Sequence, residues 1–349
     1  MKESRNYMLG DTITPEPSNY ITTKVNFISK PSASDISVTG LKYNKRNWIG
    51  IDFDDVGEWV MQAFDVTNQY SYSDGCGNNI NYAASICINA AHELTGIEYK
   101  FDQGLTVAMI LDMVNRKRWD ITDHGYYHDP VGFGENMTPL ESTIRMEDYV
   151  KRMFDYWVRT KATPQNYPGH AEAAFLEHYL YVTSQGTFDS FTPEWEYAPP
   201  GDFSKVDKSF GAIRRDFTDQ WQSDLGFLKE KIDLLFTKQN CFYRIASHTV
   251  DPEYFGQFCA YIQSNANDEV LLCATREVFE FEEMKRQQTT YEVVDNSIII
   301  KTSLEGLSIK NKFKDMSFLV SSGNQILSIE SNADSKSFNN NGLINILKQ

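Results

Sequence analysis

From Trp48 onward the chain sets short apolar runs between amphipathic stretches. The runs are Trp48–Phe53 (WIGIDF), Ala84–Ala90 (ASICINA), Trp119–Thr122 (WDIT), His178–Ser184 (HYLYVTS), Phe242–Ser247 (FYRIAS) and Glu269–Thr275 (EVLLCAT). They are too short for helices and carry apolar residues on both parities, as strands buried on both faces do. The clearest helical stretch opens at Thr138, with Pro139 at the first helical position and Glu141 three residues after the cap, a capping box. Its apolar stripe runs through Ile144, Val150, Met153, Phe154 and Trp157 and suits packing on a sheet. Further helices are expected at Leu105–Val114, Gly226–Phe236 and Pro252–Gln263. Strands alternating with helices predict a parallel sheet, either open or closed into a barrel.

The two ends read differently. Residues 1–45 are polar and rich in Ser, Thr, Asn and Pro, with one alternating run at Thr22–Phe27 that suits a strand, and they are expected to be an extension outside the core. After Gln288 the pattern becomes β-rich (YEVVDNSIIIKTS, SFLVSSGNQILSIES), which predicts a small antiparallel unit over 289–349. So short a unit buries little apolar core, so a packing role is expected over an independent binding module. Residues 46–288 remain as the α/β domain, and a chain of 349 residues exceeds the roughly 250–300 at which single cores stop growing.

Composition narrows the class. Hydrophobic residues at 41% and charged residues at 23% are ordinary globular usage. A net charge of -15 repels phosphate backbones and anionic lipid, so nucleic acid is not an expected partner. Cys76, Cys87, Cys241, Cys259 and Cys273 show no CxxC spacing and read mostly as buried thiols. No run approaches the ~20 apolar residues of a membrane span. The aromatic share of 13% fits ring stacking on sugars, though filling a large core accounts for it first.

Three strand ends carry candidate chemistry, at the position where parallel α/β folds place their sites. Asp52-Phe53-Asp54-Asp55 closes the first apolar run. Neighbouring side chains on an extended chain point apart, so Asp54 and Asp55 converge only through a turn, which Val56-Gly57 permits; alternatively they cap the next helix. His124 and His128 follow the run ending at Thr122 and can chelate one ion if the segment is helical or if a turn folds them together, the turn being favoured by Gly125 and Pro130. Their neighbours Asp123 and Asp129 read as solvated turn acids before ring partners. His248 follows the run ending at Ser247 and suits a general acid, with an ordinary pKa near 6.5; a core histidine bonded to backbone is the other reading. His92 and His178 read as structural.

The order of these segments resembles the polysaccharide deacetylase family, the NodB-homology carbohydrate esterases, over about residues 47–286. The family's Thr-Phe-Asp-Asp motif is similar to Asp52–Asp55, which implies Asp54 as general base and Asp55 as metal ligand. Its His-Ser/Thr-x-x-His motif is similar to His124-Gly125-Tyr126-Tyr127-His128, and its late Leu-x-His motif to Ile245-Ala246-Ser247-His248, implying His248 as acid. The third motif, Arg-x-Pro-Tyr/Phe, survives only as Asn166-Tyr167-Pro168-Gly169-His170, with the Arg absent. By that match Pro168, Gly169 and His170 face substrate. His170 could alternatively be a further ligand or an exposed loop residue. The fourth motif, Asp-x-x-Asp-Trp, has a loose echo in Asp216–Trp221. Asp52 stands for the usual Thr, Val56 for a common Gly, and Gly125 for a small hydroxyl residue.

The resemblance implies a distorted (β/α) barrel and one divalent ion. Zinc is favoured by the ligand set, with Co2+, Ni2+ and Fe2+ fitting nearly as well. The implied activity removes acetyl groups from an N- or O-acetylated carbohydrate, which would place the protein outside the cytoplasm with its leader absent from this sequence. The segment Gln69–Tyr82 reads as an inserted loop that shapes specificity. Two other readings are an inactive glycan-binding protein on the same fold, motivated by the missing Arg, and an unrelated metal phosphoesterase, which the negative charge and the lack of a phosphate-binding loop disfavour.

Overall fold

The computed structural model describes residues 19–128, 137–166, 169–184, 200–208, 211–321 and 324–349. Every residue of the strands Asn47–Phe53 and Cys241–Ser247 is buried, as strands covered on both faces require. They pair in parallel from Trp48 opposite Phe242 to Phe53 opposite Ser247. On the other side of Asn47–Phe53 come Ser85–Ile88, Asp120–Asp123, Thr160–Ala162, Tyr181–Ser184 and Gly211–Arg214, each parallel to the last. Past Arg215 the chain pairs Asp216–Phe217 with Ile245–Ala246. The sheet therefore curls back onto Cys241–Ser247, and the fold is a distorted (β/α) barrel. Val270–Leu272 adds to the first half of Asn47–Phe53.

The helices cover this sheet with capped, amphipathic segments. Thr138 accepts from Glu141 N while Glu141 answers the cap's own N–H, and Pro139–Phe154 runs until Asp155 turns left-handed. Thr106 caps Val107–Lys117, and Asp251 with Pro252 starts Pro252–Asn265. The core they enclose is aromatic: Phe53 stacks on Trp119 at 6.0 Å and meets Phe255 edge-on at 5.8 Å.

Each of the six apolar runs contains or overlaps a strand, although three extend beyond it and the last, Glu269–Thr275, runs into the helix Thr275–Lys285. Thr160–Ala162 and Gly211–Arg214 were not foreseen, because both carry cations that read as solvent-facing. In the structure Lys161 is buried against Asp123 at 2.6 Å. The helix Thr275–Lys285 was missed for a related reason: Arg276, Glu277 and Glu280 are as buried as Val278 and Phe279, so no polar face marks it.

Residues 1–45, expected outside any core, contribute two strands. Tyr20–Phe27 lies between Ser297–Ser303 and Ile326–Ser331, with Thr289–Val294 beyond, and Ile36–Val38 edges a second sheet built from Met316–Val320, Leu343–Leu347 and Ser335–Phe338. Ile21, Val25 and Phe27 enter a core shared with Ile298, Ile300, Phe318 and Ile344. The alternation was visible in the sequence, but its partners lie almost the whole chain away. A buried quartet ties this β unit to the barrel: Lys42 and Arg118 each contact both Glu277 and Asp315, at 2.5 to 2.9 Å.

Gln69–Tyr82 forms the hairpin Ser71–Ser73 with Asn79–Asn81. Ser337 Oγ donates to Asp74 at 2.8 Å and Ser73 N donates to Asp268 at 2.7 Å, so the hairpin docks on the β unit at the amino ends of the strands. It is not positioned to shape a site at their carboxyl ends. Among the described residues no helix is long and apolar enough to cross a membrane. All five cysteines are free thiols, and four of them are buried.

Candidate functional site

Asp54 prolongs the strand pairing, its N donating to Ser247 O at 2.9 Å. Asp55 then turns at φ 50°, so the turn expected after Phe53 is made by Asp55 itself. A left-handed non-glycine residue costs on the order of 1–2 kcal/mol, less for Asp, whose short side chain bonds locally. The turn leaves Asp54 buried, at 1% exposure, and the Asp55 side chain 41% exposed.

The second segment is folded by its own neighbours. His124 N donates to Ile88 O at 3.0 Å, Asn89 Nδ2 donates to His124 O at 2.5 Å, and Gly125 N donates to Asp123 Oδ1 at 2.6 Å. Gly125 sits at φ 90°, and a Cβ there would lie 2.7 Å from Tyr127 O, so the turn needs glycine. Asp123, expected as a solvated turn acid, is fully buried and also accepts from Lys161 Nζ at 2.6 Å and Tyr179 OH at 3.3 Å. It holds the turn; it does not face the rings. Asp129 lies outside the described residues.

This local geometry brings the two imidazoles together, centroids 5.2 Å apart, around Asp55. His124 Nε2 lies 3.6 Å from Asp55 Oδ1 and His128 Nε2 3.7 Å from Oδ2, and one donor atom from each of the three residues falls within 4.8 Å of the others. Ligands bound tetrahedrally at ~2.0–2.2 Å stand about 3.4 Å apart, close to these separations. His124 Nδ1 is 2.9 Å from Ala162 O. A carbonyl only accepts, so Nδ1 carries the proton and Nε2 the lone pair. That Nε2 is buried with no hydrogen-bond partner, and burial pushes the imidazole pKa down despite the nearby Asp54 and Asp55. A neutral, orphaned, inward nitrogen beside a carboxylate is the donor set a divalent cation requires.

Beneath this trio lies a buried charge network. Arg215 donates from Nη1 to Asp54 Oδ1 at 2.8 Å and from Nη2 to Asp54 Oδ2 at 2.6 Å, a two-pronged contact. Burial alone would raise the Asp54 pKa, but the Arg215 charge and its hydrogen bonds hold it at about 2. Asp52 accepts from Arg215 at 3.2 Å and from Arg244 at 2.5 Å. Gly50 makes room for Arg244, whose Nη1 would be 1.7 Å from any Cβ at that position. Sequence reasoning missed Arg215; its signal is Arg214-Arg215 inside the otherwise strand-like Ala212–Phe217.

His248 stands one residue past the partner of Phe53, at the same end of the barrel. Its N donates to Asp219 Oδ1 at 2.7 Å, its Nδ1 to Asp219 Oδ2 at 2.9 Å, and its ring stacks on Phe217 at 4.9 Å. Trp221 Nε1 donates to Thr249 O at 3.1 Å. The loose echo at Asp216–Trp221 thus orients the histidine.

His170, expected at substrate, is completely buried, and neither ring nitrogen has a partner among the described residues. Burial, with the Lys161 charge, drives it to about 2, so it is neutral. Gly169, at φ 86°, starts the helix His170–Leu176 and turns that ring inward. Pro168 lies outside the described residues. His92 caps its own turn, Nδ1 accepting from Leu94 N at 3.1 Å. A cleft of about 330 Å³ opens beside Asp55 and His128, lined by Asn89, His92, Glu93, Tyr99 and Phe101.

No protein-family model matches the chain, and no curated protein matches it in sequence. Among solved structures it is similar to the Xyl-CE4 domain of a multidomain xylanase from the hindgut metagenome of Trinervitermes trinervoides, at 12% identity and TM-score 0.40, covering 68% of this chain and 91% of that one. It is also similar to a family 4 acetyl xylan esterase from Clostridium thermocellum in complex with a cobalt ion (13%, TM-score 0.38, 66% and 90%). A third is a CE4 family pseudoenzyme from Bacillus anthracis (10%, TM-score 0.40, 68% and 66%).

Proposed function

We propose that the protein is a metal-dependent hydrolase that removes acetyl groups from an N- or O-acetylated carbohydrate. One observation carries this reading: the buried, unpartnered Nε2 of His124 converges with His128 and Asp55 at separations a single cation would bridge. Asp55, His124 and His128 would hold the ion, zinc first by ligand type, with Co2+, Ni2+ or Fe2+ also suited. When bound, a divalent ion supplies Lewis acidity, polarising an acyl carbonyl and lowering the pKa of water from 15.7 toward about 7.

The chain's own residues supply the proton transfers. Asp54, at about 2, is ionised at every working pH and is the proton acceptor, fixed by Arg215 so that it cannot swing away. A carboxylate with so low a pKa is a weak base, so it depends on an acidified partner. His248, with Nδ1 committed to Asp219, keeps Nε2 for donating a proton to the leaving amine or alcohol. Tyr99 and Phe101 in the adjoining cleft suit the flat faces of sugar rings. The inactive glycan-binding reading rests on the missing third-motif Arg; against it, Arg215, between the strands Gly211–Arg214 and Asp216–Phe217, pairs with Asp54 through both of its oxygens. An acetylated polysaccharide substrate would place the protein outside the cytoplasm.

The test is acetate release from acetylated chitooligosaccharides, xylan and peptidoglycan by zinc-loaded protein, with and without a chelator. A protein that binds zinc at one equivalent and releases acetate reversibly with chelation supports the reading; one that does neither ends it. His248→Ala is expected to lower turnover about 10²- to 10⁴-fold with an unchanged circular dichroism spectrum. Wild-type turnover in that variant would remove His248 from the mechanism.

A further inference from the structure

We infer that Glu93 is a positioning residue for the metal centre: its carboxylate, 3.8 Å from His128 Nδ1, closes to hydrogen-bond range when a cation binds and there accepts the Nδ1 proton, fixing the imidazole tautomer that frees Nε2. The inference rests on the functional reading above and adds a residue to it.

The two imidazoles are held differently. His124 has its tautomer set by a backbone carbonyl. His128 Nδ1 faces two side chains, Gln165 Nε2 at 3.3 Å and Glu93 Oε2 at 3.8 Å. An amide N–H only donates, so bonding to Gln165 in this orientation needs the lone pair on Nδ1. The ring proton then sits on Nε2, facing Asp55, where it would block an ion. A carboxylate only accepts, so a bond to Glu93 does the reverse, and closing it requires a shift of roughly 1 Å from hydrogen-bond range. Carboxylate partners of this kind orient ligand imidazoles and raise their basicity.

The fold holds Glu93 against that ring. Its loop follows the strand Ser85–Ile88 and is tied to the middle of the histidine segment: Ala90 N and Ala91 N both donate to Tyr126 O, at 3.1 and 2.9 Å, and Tyr126 OH donates to Glu98 at 2.8 Å. His92 N to Ile97 O at 3.0 Å and the bridge between Ala91 and Glu98 close the loop around Glu93. One backbone carbonyl between the two candidate ligands thus registers the loop on both.

The experiment is calorimetric titration of metal-free full-length protein with Zn2+, for wild type, Glu93→Ala and Glu93→Gln, in dilute buffer and at about 1 M salt, where the ~3 Å Debye length removes simple charge attraction. Glu93→Ala is expected to weaken binding 10- to 100-fold at both salt concentrations, and Glu93→Gln, which keeps an acceptor oxygen, to lose less. The Glu93 side chain is 38% exposed, so folding is retained, which a thermal melt checks. If Glu93→Ala binds zinc as wild type does, or its defect disappears at high salt, the positioning role is overturned while the hydrolase reading stands. If wild type itself binds no zinc, both fall.

Discussion

Arg215→Met is expected to lose about 3 to 5 kcal/mol of stability and to invert the protein's response to acid, because it breaks a buried charge network by removing one partner. The guanidinium is almost wholly buried and engages both oxygens of Asp54 and one of Asp52. Methionine fills similar volume, but it leaves two buried carboxylates facing Arg244 alone. In the wild type Asp54 titrates at about 2, below its ordinary 3.8. The unfolded chain therefore binds more protons in that interval, and the stability this group contributes is complete above about 4 and is lost as pH falls toward 2. Without Arg215, burial dominates and lifts the carboxyl above its ordinary value. The contribution then changes sign: it is present at low pH and lost as pH rises through the new, higher pKa. Denaturant melts of both proteins across about pH 3 to 8 read this directly. A variant as stable as wild type at neutral pH would mean the network does not hold Asp54. The same variant should lose activity most at the acid end, where Asp54 becomes protonated and can no longer accept a proton.

Arg215 also marks where the sequence stops being legible. The apolar runs announce their strands because fully buried strands have a one-letter signature, and the strand ends at Asp54, His124 and His248 follow from chain direction in a parallel sheet. The capping box at Thr138 places a helix start to the residue because its two hydrogen bonds are local. What is hidden is every charge whose partner is distant. Lys161 needs Asp123, Arg215 needs Asp54 and Asp52, and Lys42 needs Glu277 and Asp315 before any of them can enter a core. Read singly, each looks like a solvated surface residue, so the strands and helix carrying them drop out of the pattern. His170 fails in the opposite direction: a loop histidine following Pro168 and Gly169 reads as accessible, and only the inward start of a short helix buries it. The β unit shows the same rule on a larger scale, since the strand Tyr20–Phe27 finds its partners at Ser297–Ser303 and Ile326–Ser331.

Asp55→Gly is expected to separate stability from function at a single position. Asp55 is held at φ 50°, a conformation that glycine adopts without steric strain and that costs an L side chain, Asp and Asn less than others. Measured without metal, so that ion binding does not add to the folded state, the variant should be more stable than wild type by up to about 1 kcal/mol. It also removes the one carboxylate of the Asp55, His124 and His128 group, and with it the charge that balances a divalent ion. Zinc affinity should collapse, and acetate release should fall at least about 10³-fold, since an ion's several kcal/mol of transition-state stabilisation is lost at roughly 1.4 kcal/mol per factor of ten. Asp55→Asn is the control: asparagine tolerates the left-handed region and keeps the side chain's shape, so stability stays near wild type while zinc binding still weakens. Backbone strain retained at a site is explained when relieving it improves the fold and abolishes the chemistry together. A glycine variant that bound zinc as tightly as wild type would show that Asp55 is not a ligand, and one that melted earlier would show that its left-handed turn is not strained.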